Sequence, residues 1–194
     1  TTPRTNYIFI DYENVQPTDL SRIRDKAAKV HLVLGSKQEK PGKTLHAQIQ
    51  HHADQVRLIP TPLAGKNALD FVLAAELGRQ TVHDPHGYYH LISRDKGFDA
   101  LIKHLRANQI LAARHDALAG VPALMTTEER FHLLVTRLQD PAQPRPVKQR
   151  TLANTIQQLF NRSLNPDVVE KAILLLEHQG ILTMSPTGRV TYPA

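Results

Sequence analysis

Short apolar runs alternate with longer amphipathic stretches over the first two thirds of the 194-residue chain. The runs are Tyr7–Asp11, Val30–Gly35, Val56–Pro60, Tyr88–Ser93 and Ile110–Ala113. Each is too short for a helix and largely continuous rather than alternating, the pattern of strands covered on both faces of a parallel sheet. Helical stretches lie between them at Leu20–Lys29, Thr44–Ala53, Ala68–Gln80 and Phe98–Ala107. A further one, Thr126–Leu138, follows the fifth strand and opens with Thr126 and Glu129 in capping-box spacing. Strand and helix in alternation predict an open α/β sheet with right-handed crossovers.

The pattern breaks at Asp140–Gln149, which holds three prolines and no apolar period and reads as a linker. Beyond it, Leu152, Ile156, Leu159 and Phe160 form one helical stripe, and Val168, Val169, Ala172, Ile173 and Leu176 another. Ile181–Tyr192 then predicts a hairpin around Ser185-Pro186-Thr187-Gly188. The expected organisation is an α/β domain over residues 1–139, a linker over 140–149 and a small winged-helix-like module over 150–194.

Composition narrows the chemistry. There is no cysteine, which removes disulfides, thiol catalysis and cysteine-bound zinc, and is compatible with a cytoplasmic setting. The net charge of +6 suits a phosphate-bearing partner. No apolar stretch reaches the ~18–20 residues of a membrane span. The eleven histidines include no H-E-x-x-H pattern, and His31 and His90 fall within apolar strand runs, where core-edge positions are expected.

The acids fall at one edge of the predicted sheet. Asp11 ends the first strand, Asp95 follows the fourth, and Asp99 comes four residues later on the same helical face. Asp70 is the only charge in the apolar run Ala68–Ala75. In a sheet of order 3-2-1-4-5 the first and fourth strands are neighbours, and ligands bind beyond their carboxyl ends. Clustered carboxylates repel unless cations neutralise them, and Mg²⁺ prefers such oxygen ligands. One or two ions there would promote attack of water on a phosphodiester. Asn14 is placed to orient Asp11, and Ser93 to contact water or phosphate. Taken singly, each acid also fits a structural role: Asp95 as a helix cap, Asp99 as a first-turn acid, and Asp70 in a capping box with Asn67.

These motifs together resemble the NYN branch of the PIN-like nucleases. The carrying residues are Asp11 with Asn14, Lys66 with Asp70, and Ser93 with Asp95 and Asp99, over roughly residues 6–138. The resemblance implies a parallel sheet of order 3-2-1-4-5 and a metal-dependent endoribonuclease, using Mg²⁺ or Mn²⁺ held by Asp11, Asp70, Asp95 and Asp99. The tail resembles, in outline, the RNA-binding LOTUS or OST-HTH modules of bacterial relatives, with a homodimer or protein contact as the other use of such a module.

Lys37, Lys40 and Lys43 lie in the loop after the second strand, and Lys66, Arg94 and Lys96 beside the motif acids; all six are candidates for RNA phosphates. Tyr12 is a candidate to stack a base. The expected activity is hydrolysis of RNA, with an RNA-binding protein that does not cut, or a nucleotide phosphohydrolase, as the alternatives. The last lacks its D-x-D-x-[TV] signature, because Asp11-Tyr12-Glu13 breaks it.

Overall fold

The computed structural model describes residues 4–38, 41–61 and 64–193, which fall into two compact units, Thr1–Leu124 and Met125–Ala194. Lys40 lies outside the described residues. In the first unit, β1 (Asn6–Asp11), β2 (Ala28–Leu34), β3 (Val56–Pro60), β4 (Tyr88–Ile92) and β5 (Leu111–His115) form one parallel sheet of order β3-β2-β1-β4-β5. β1 is central, with Ile10 paired to Leu32 on one side and Ile92 on the other.

Alternate residues of these continuous runs feed two apolar layers. Ile8, Ile10, Val30 and Leu32 pack with Leu45 and Ile49 of α1 (Lys43–His51). Phe9, Val33 and Leu91 face Leu69, Leu73 and Leu77 of α2 (Ala68–His83) and Ile102 and Leu105 of α3 (Asp99–Ala107). Leu73 and Leu77 are fully buried, and truncating such a leucine costs about 2–5 kcal/mol. The chain leaves β1 toward the first layer and β4 toward the second, so a crevice opens between their carboxyl ends.

The helix expected over Leu20–Lys29 is not formed. A 3₁₀ turn at Ser21–Ile23 replaces it, Arg24 is extended, and Asp25 takes a left-handed φ of 59°. Only Leu20 and Ile23 of this stretch find core positions before β2 begins at Ala28. The Gln55 amide takes over the helix's bonding, donating to the carbonyls of Ile23, Lys26 and Ala28 at 3.0–3.2 Å.

The second unit contains α4 (Thr127–Gln139), α5 (Gln149–Leu159), α6 (Pro166–His178) and the ribbon β6 (Thr183–Met184) with β7 (Val190–Thr191). Thr126 and Glu129 close the expected capping box at the start of α4. Leu134 and Leu138 of α4 share a core with Leu152, Ile156, Phe160, Ile173 and Leu176. The helix that the sequence reading assigned to the first domain therefore has its apolar face in the second unit. The proline-rich stretch also differs from a free linker at its end. Val190 N donates to Val147 O, Gln149 N to Gly188 O, and Lys148 bridges Arg189 beside β7. The hairpin loop closes with Gly188 N on Ser185 O, and Gly188 adopts the positive φ (76°) that favours glycine. Among the described residues, no helix is long and apolar enough to cross a membrane.

Candidate active site

Asp11 closes β1 and is 2% exposed. The chain turns immediately after it, with Asn14 N and Val15 N donating to its carbonyl. A buried carboxylate needs partners, and this one has two. Ser93 Oγ donates to Asp11 Oδ2 at 2.8 Å, and Asn14 N donates to Oδ1 at 3.2 Å. Asn14 thus orients Asp11 through its backbone. Ser93, itself fully buried after β4, also accepts from Asp95 N at 3.1 Å. One hydroxyl therefore joins the ends of the two neighbouring strands. The Asp95 carboxylate accepts from Gly97 N at 2.7 Å and caps the 3₁₀ turn Lys96–Phe98, so its cap role and its place in the cleft coexist.

Asp11, Glu13, Asn14, Asn67, Asp70 and Asp95 line a cleft of about 220 Å³. Asn67 caps α2 in a left-handed conformation (φ 60°) with no side-chain cap bond, so Asp70 is not tied into a capping box. Burial, then the carboxylates of Asp11, Asp95 and Glu13, raise the Asp70 carboxyl above its ordinary pKa. That upward shift reports burial first and the negative potential of the neighbouring acids second.

Glu13 is the acid that the sequence reading left out. Its position follows from Gly35 at the end of β2: a Cβ there would fall 1.7 Å from Glu13 Oε1. The missing side chain makes the space that Glu13 fills. A glycine after an apolar run was the signal available in the sequence, but it does not say which residue uses the space.

Asp99 stands apart from this group. Arg114 Nε donates to Asp99 Oδ1 at 2.8 Å, and Arg114 Nη1 donates to Ser93 O at 2.7 Å. The Arg114 guanidinium, by hydrogen bond first, holds the Asp99 carboxyl below its usual pKa. Asp99 does not line the cleft; through Arg114 it ties the start of α3 to β5 and to the backbone behind Ser93.

Of the candidate cations, Lys37, Lys43, Lys66, Arg94 and Lys96 are exposed. Lys37 and Lys66 each adjoin a cleft-lining residue in the chain, and Arg94 and Lys96 flank Asp95. Lys43 begins α1, away from the cleft lining. Tyr12 is 7% exposed and packs in the core, which removes it as a base-stacking surface. Of the ten phenylalanine and tyrosine side chains, Phe71 alone is largely exposed, at 70%. It stands one helical turn beyond Asn67 on the same face of α2.

Among the described residues, no three acidic or histidine side chains converge closely enough to hold a metal ion between them. Mg²⁺ is usually held by one or two carboxylates, with waters and substrate phosphate completing its shell. An oxygen-only donor set under the negative potential felt by Asp70 fits that kind of site.

The family model PIN7, described as a PIN domain, matches residues 5–115. That span covers the whole sheet and the cleft acids. No curated protein matches the chain. More than half of the chain lies within the match, so this protein belongs to the PIN domain family, whose members are generally metal-dependent nucleases acting on RNA.

Proposed function

We propose that this protein is a metal-dependent endoribonuclease of the NYN type, acting in the cytoplasm. One observation carries the reading: four carboxylates, from Asp11, Glu13, Asp70 and Asp95, share a single cleft at the carboxyl edge of the sheet. One or two of the carboxylates of Asp11, Asp70, Asp95 and Glu13, the last in place of Asp99, would hold Mg²⁺ or Mn²⁺, with water and substrate phosphate completing the shell. The bound ion would supply charge neutralisation at the scissile phosphate. Ser93 Oγ keeps its proton directed at Asp11 Oδ2 and so fixes the orientation of that carboxylate. Asp70, whose proton affinity is raised, is the carboxylate suited to take a proton from attacking water. Lys37, Lys66, Arg94 and Lys96 surround this edge with charge for the RNA backbone. Short motifs support the NYN assignment within the PIN family: Asp11 with Asn14, Lys66 with Asp70, and Ser93 with Asp95.

The test is cleavage of end-labelled single-stranded RNA by purified protein in Mg²⁺ or Mn²⁺. EDTA should stop it, and Asp11→Asn and Asp95→Asn should each abolish most of it. Equal degradation by wild type and both variants would sink the assignment. A second reading, RNA binding without cleavage, draws support from the Asp99–Arg114 pairing and from the lack of a three-acid set among the described residues. Binding that is indifferent to EDTA, with no product at any metal concentration, would establish that reading instead.

A further inference from the structure

We propose that the ribbon side of the second unit is a groove for single-stranded RNA. The groove has a volume of about 1040 Å³, and its lining includes Val147, Lys148, Arg150, Arg189, Thr191 and Tyr192. Its cations sit where the chain's own energetics disfavour them. Lys148 and Arg189 are direct partners in an antiparallel bridge. The flanking bonds run from Gln149 N to Gly188 O and from Val190 N to Val147 O. The pair itself therefore exchanges no backbone bond and belongs to the class with the closest side chains. Like charges placed directly opposite destabilise a ribbon.

Among the described residues, no ion pair involves Lys148, Arg150 or Arg189. Residues 141–166 and 178–194 contain no aspartate or glutamate at all. The unit's acids are confined to α4, its C-terminal cap and α6. A polyanion from outside is the partner that such an acid-free, self-repelling strip fits.

The groove's apolar surface indicates a single strand. Tyr192 is fixed in place, its hydroxyl donating to Pro146 O at 3.0 Å and the Arg145 guanidinium lying 5.3 Å from its ring centroid. Val147, 61% exposed, adds apolar surface in the same groove. Ring and aliphatic surface take the faces of bases, which a duplex keeps stacked away. That the polyanion is RNA rests on the nuclease reading; the groove itself does not depend on cleavage.

The test is anisotropy of a fluorescein-labelled oligouridylate titrated with full-length protein in EDTA across a range of KCl. Removing Lys148 and Arg189 together (Lys148→Ala/Arg189→Ala) should weaken binding tenfold or more. It should also flatten the log–log salt slope by about 1.4, from about 0.7 per phosphate contact on a single strand. Its thermal midpoint should stay level or rise, which separates lost affinity from lost fold. Arg189→Lys should retain most of the affinity, Lys171→Ala should match wild type, and an RNA duplex of equal length should bind at least tenfold more weakly. Unchanged affinity and slope in the double variant, or a duplex bound as tightly as the single strand, would overturn the proposal. Because EDTA removes cleavage from the measurement, a failed nuclease test leaves this result standing. Conversely, a cleaving enzyme whose double variant binds normally sinks the groove alone.

Discussion

Lowering the pH from 7.5 to 5 probes the imidazoles that the sheet buries. His31 is 7% exposed, stacks on Phe9 with ring centroids 4.5 Å apart, and has no partner at either ring nitrogen. Burial, then the charge of Arg57, pushes its pKa down to about 4. His115 is likewise pushed down to about 4 by burial and then by Arg114. His90 is fully buried between His115 Nε2, at 3.0 Å, and Asn6 Oδ1, at 2.9 Å. The Asn6 amide nitrogen donates to the carbonyls of Arg4 and Ala27, so its oxygen accepts from His90 Nε2–H. His90 Nδ1 must then accept from His115 Nε2–H, so the His90 ring is neutral. Burial, then His115, holds the His90 pKa well below its ordinary value.

Above pH 6.5 these rings are neutral in the folded and unfolded chain alike, and no stability is lost. As pH falls from 6.5 toward 4, the unfolded chain takes up protons that the folded chain refuses, so stability declines. At about 1.4 kcal/mol per unit and per group, His31 and His115 each remove about 2 kcal/mol by pH 5. Together they remove about 4 kcal/mol from the ~5–15 kcal/mol typical of a domain, and His90 acts in the same direction. Urea unfolding followed by circular dichroism at pH 7.5 and pH 5 measures the loss. His31→Phe, which keeps a ring against Phe9 and deletes both unpartnered nitrogens, should reduce the pH dependence by about 2 kcal/mol. A wild-type loss below 1 kcal/mol, or an unchanged pH dependence in His31→Phe, would refute this account of the buried rings.

Three further outcomes test the site. Gly35→Ala should expel Glu13 from the cleft and weaken Mn²⁺ binding by roughly tenfold, an effect on the order of 1–2 kcal/mol for one carboxylate lost; calorimetric titration beside Glu13→Gln should give matching losses. Arg114→Met removes the bonds to Asp99 and to Ser93 O and should lower unfolding stability by about 1–2 kcal/mol, allowing for the exposure of Asp99; chemical denaturation checks it. Phe71→Ala should weaken single-stranded RNA binding about five- to 150-fold, the range for one stacked base, and leave the thermal midpoint of this exposed position unchanged.

The sheet was legible because both of its faces are covered. Strands such as Tyr88–Ile92 have no polar face to confuse the pattern, and the apolar run itself marks the strand. Asp11, Asp70 and Asp95 were legible for a related reason, since each interrupts or ends an apolar run where the sheet meets solvent. Leu20–Lys29 misled because the element that replaces the helix's bonding, Gln55, lies some thirty residues away. Asp99 misled for the same kind of reason. Its spacing from Asp95 suits a shared face, but the partner that claims it, Arg114, comes from the next strand. Glu13 enters the cleft because the chain turns at Asp11 and Gly35, from the next strand, leaves it room. Long-range pairings of this sort leave no periodic trace in the sequence.

The hydroxyl of Ser93 has a consequence for how the cleft meets its ligand. With Oδ2 held by Ser93 and Oδ1 by Asn14 N, the plane of the Asp11 carboxylate is set before anything arrives. The rotamer freedom that a carboxylate would otherwise surrender on binding was given up during folding, and the full attraction is left for the incoming charge. Ser93→Ala would then show itself less in the number of groups touching an ion than in the entropy of capturing it.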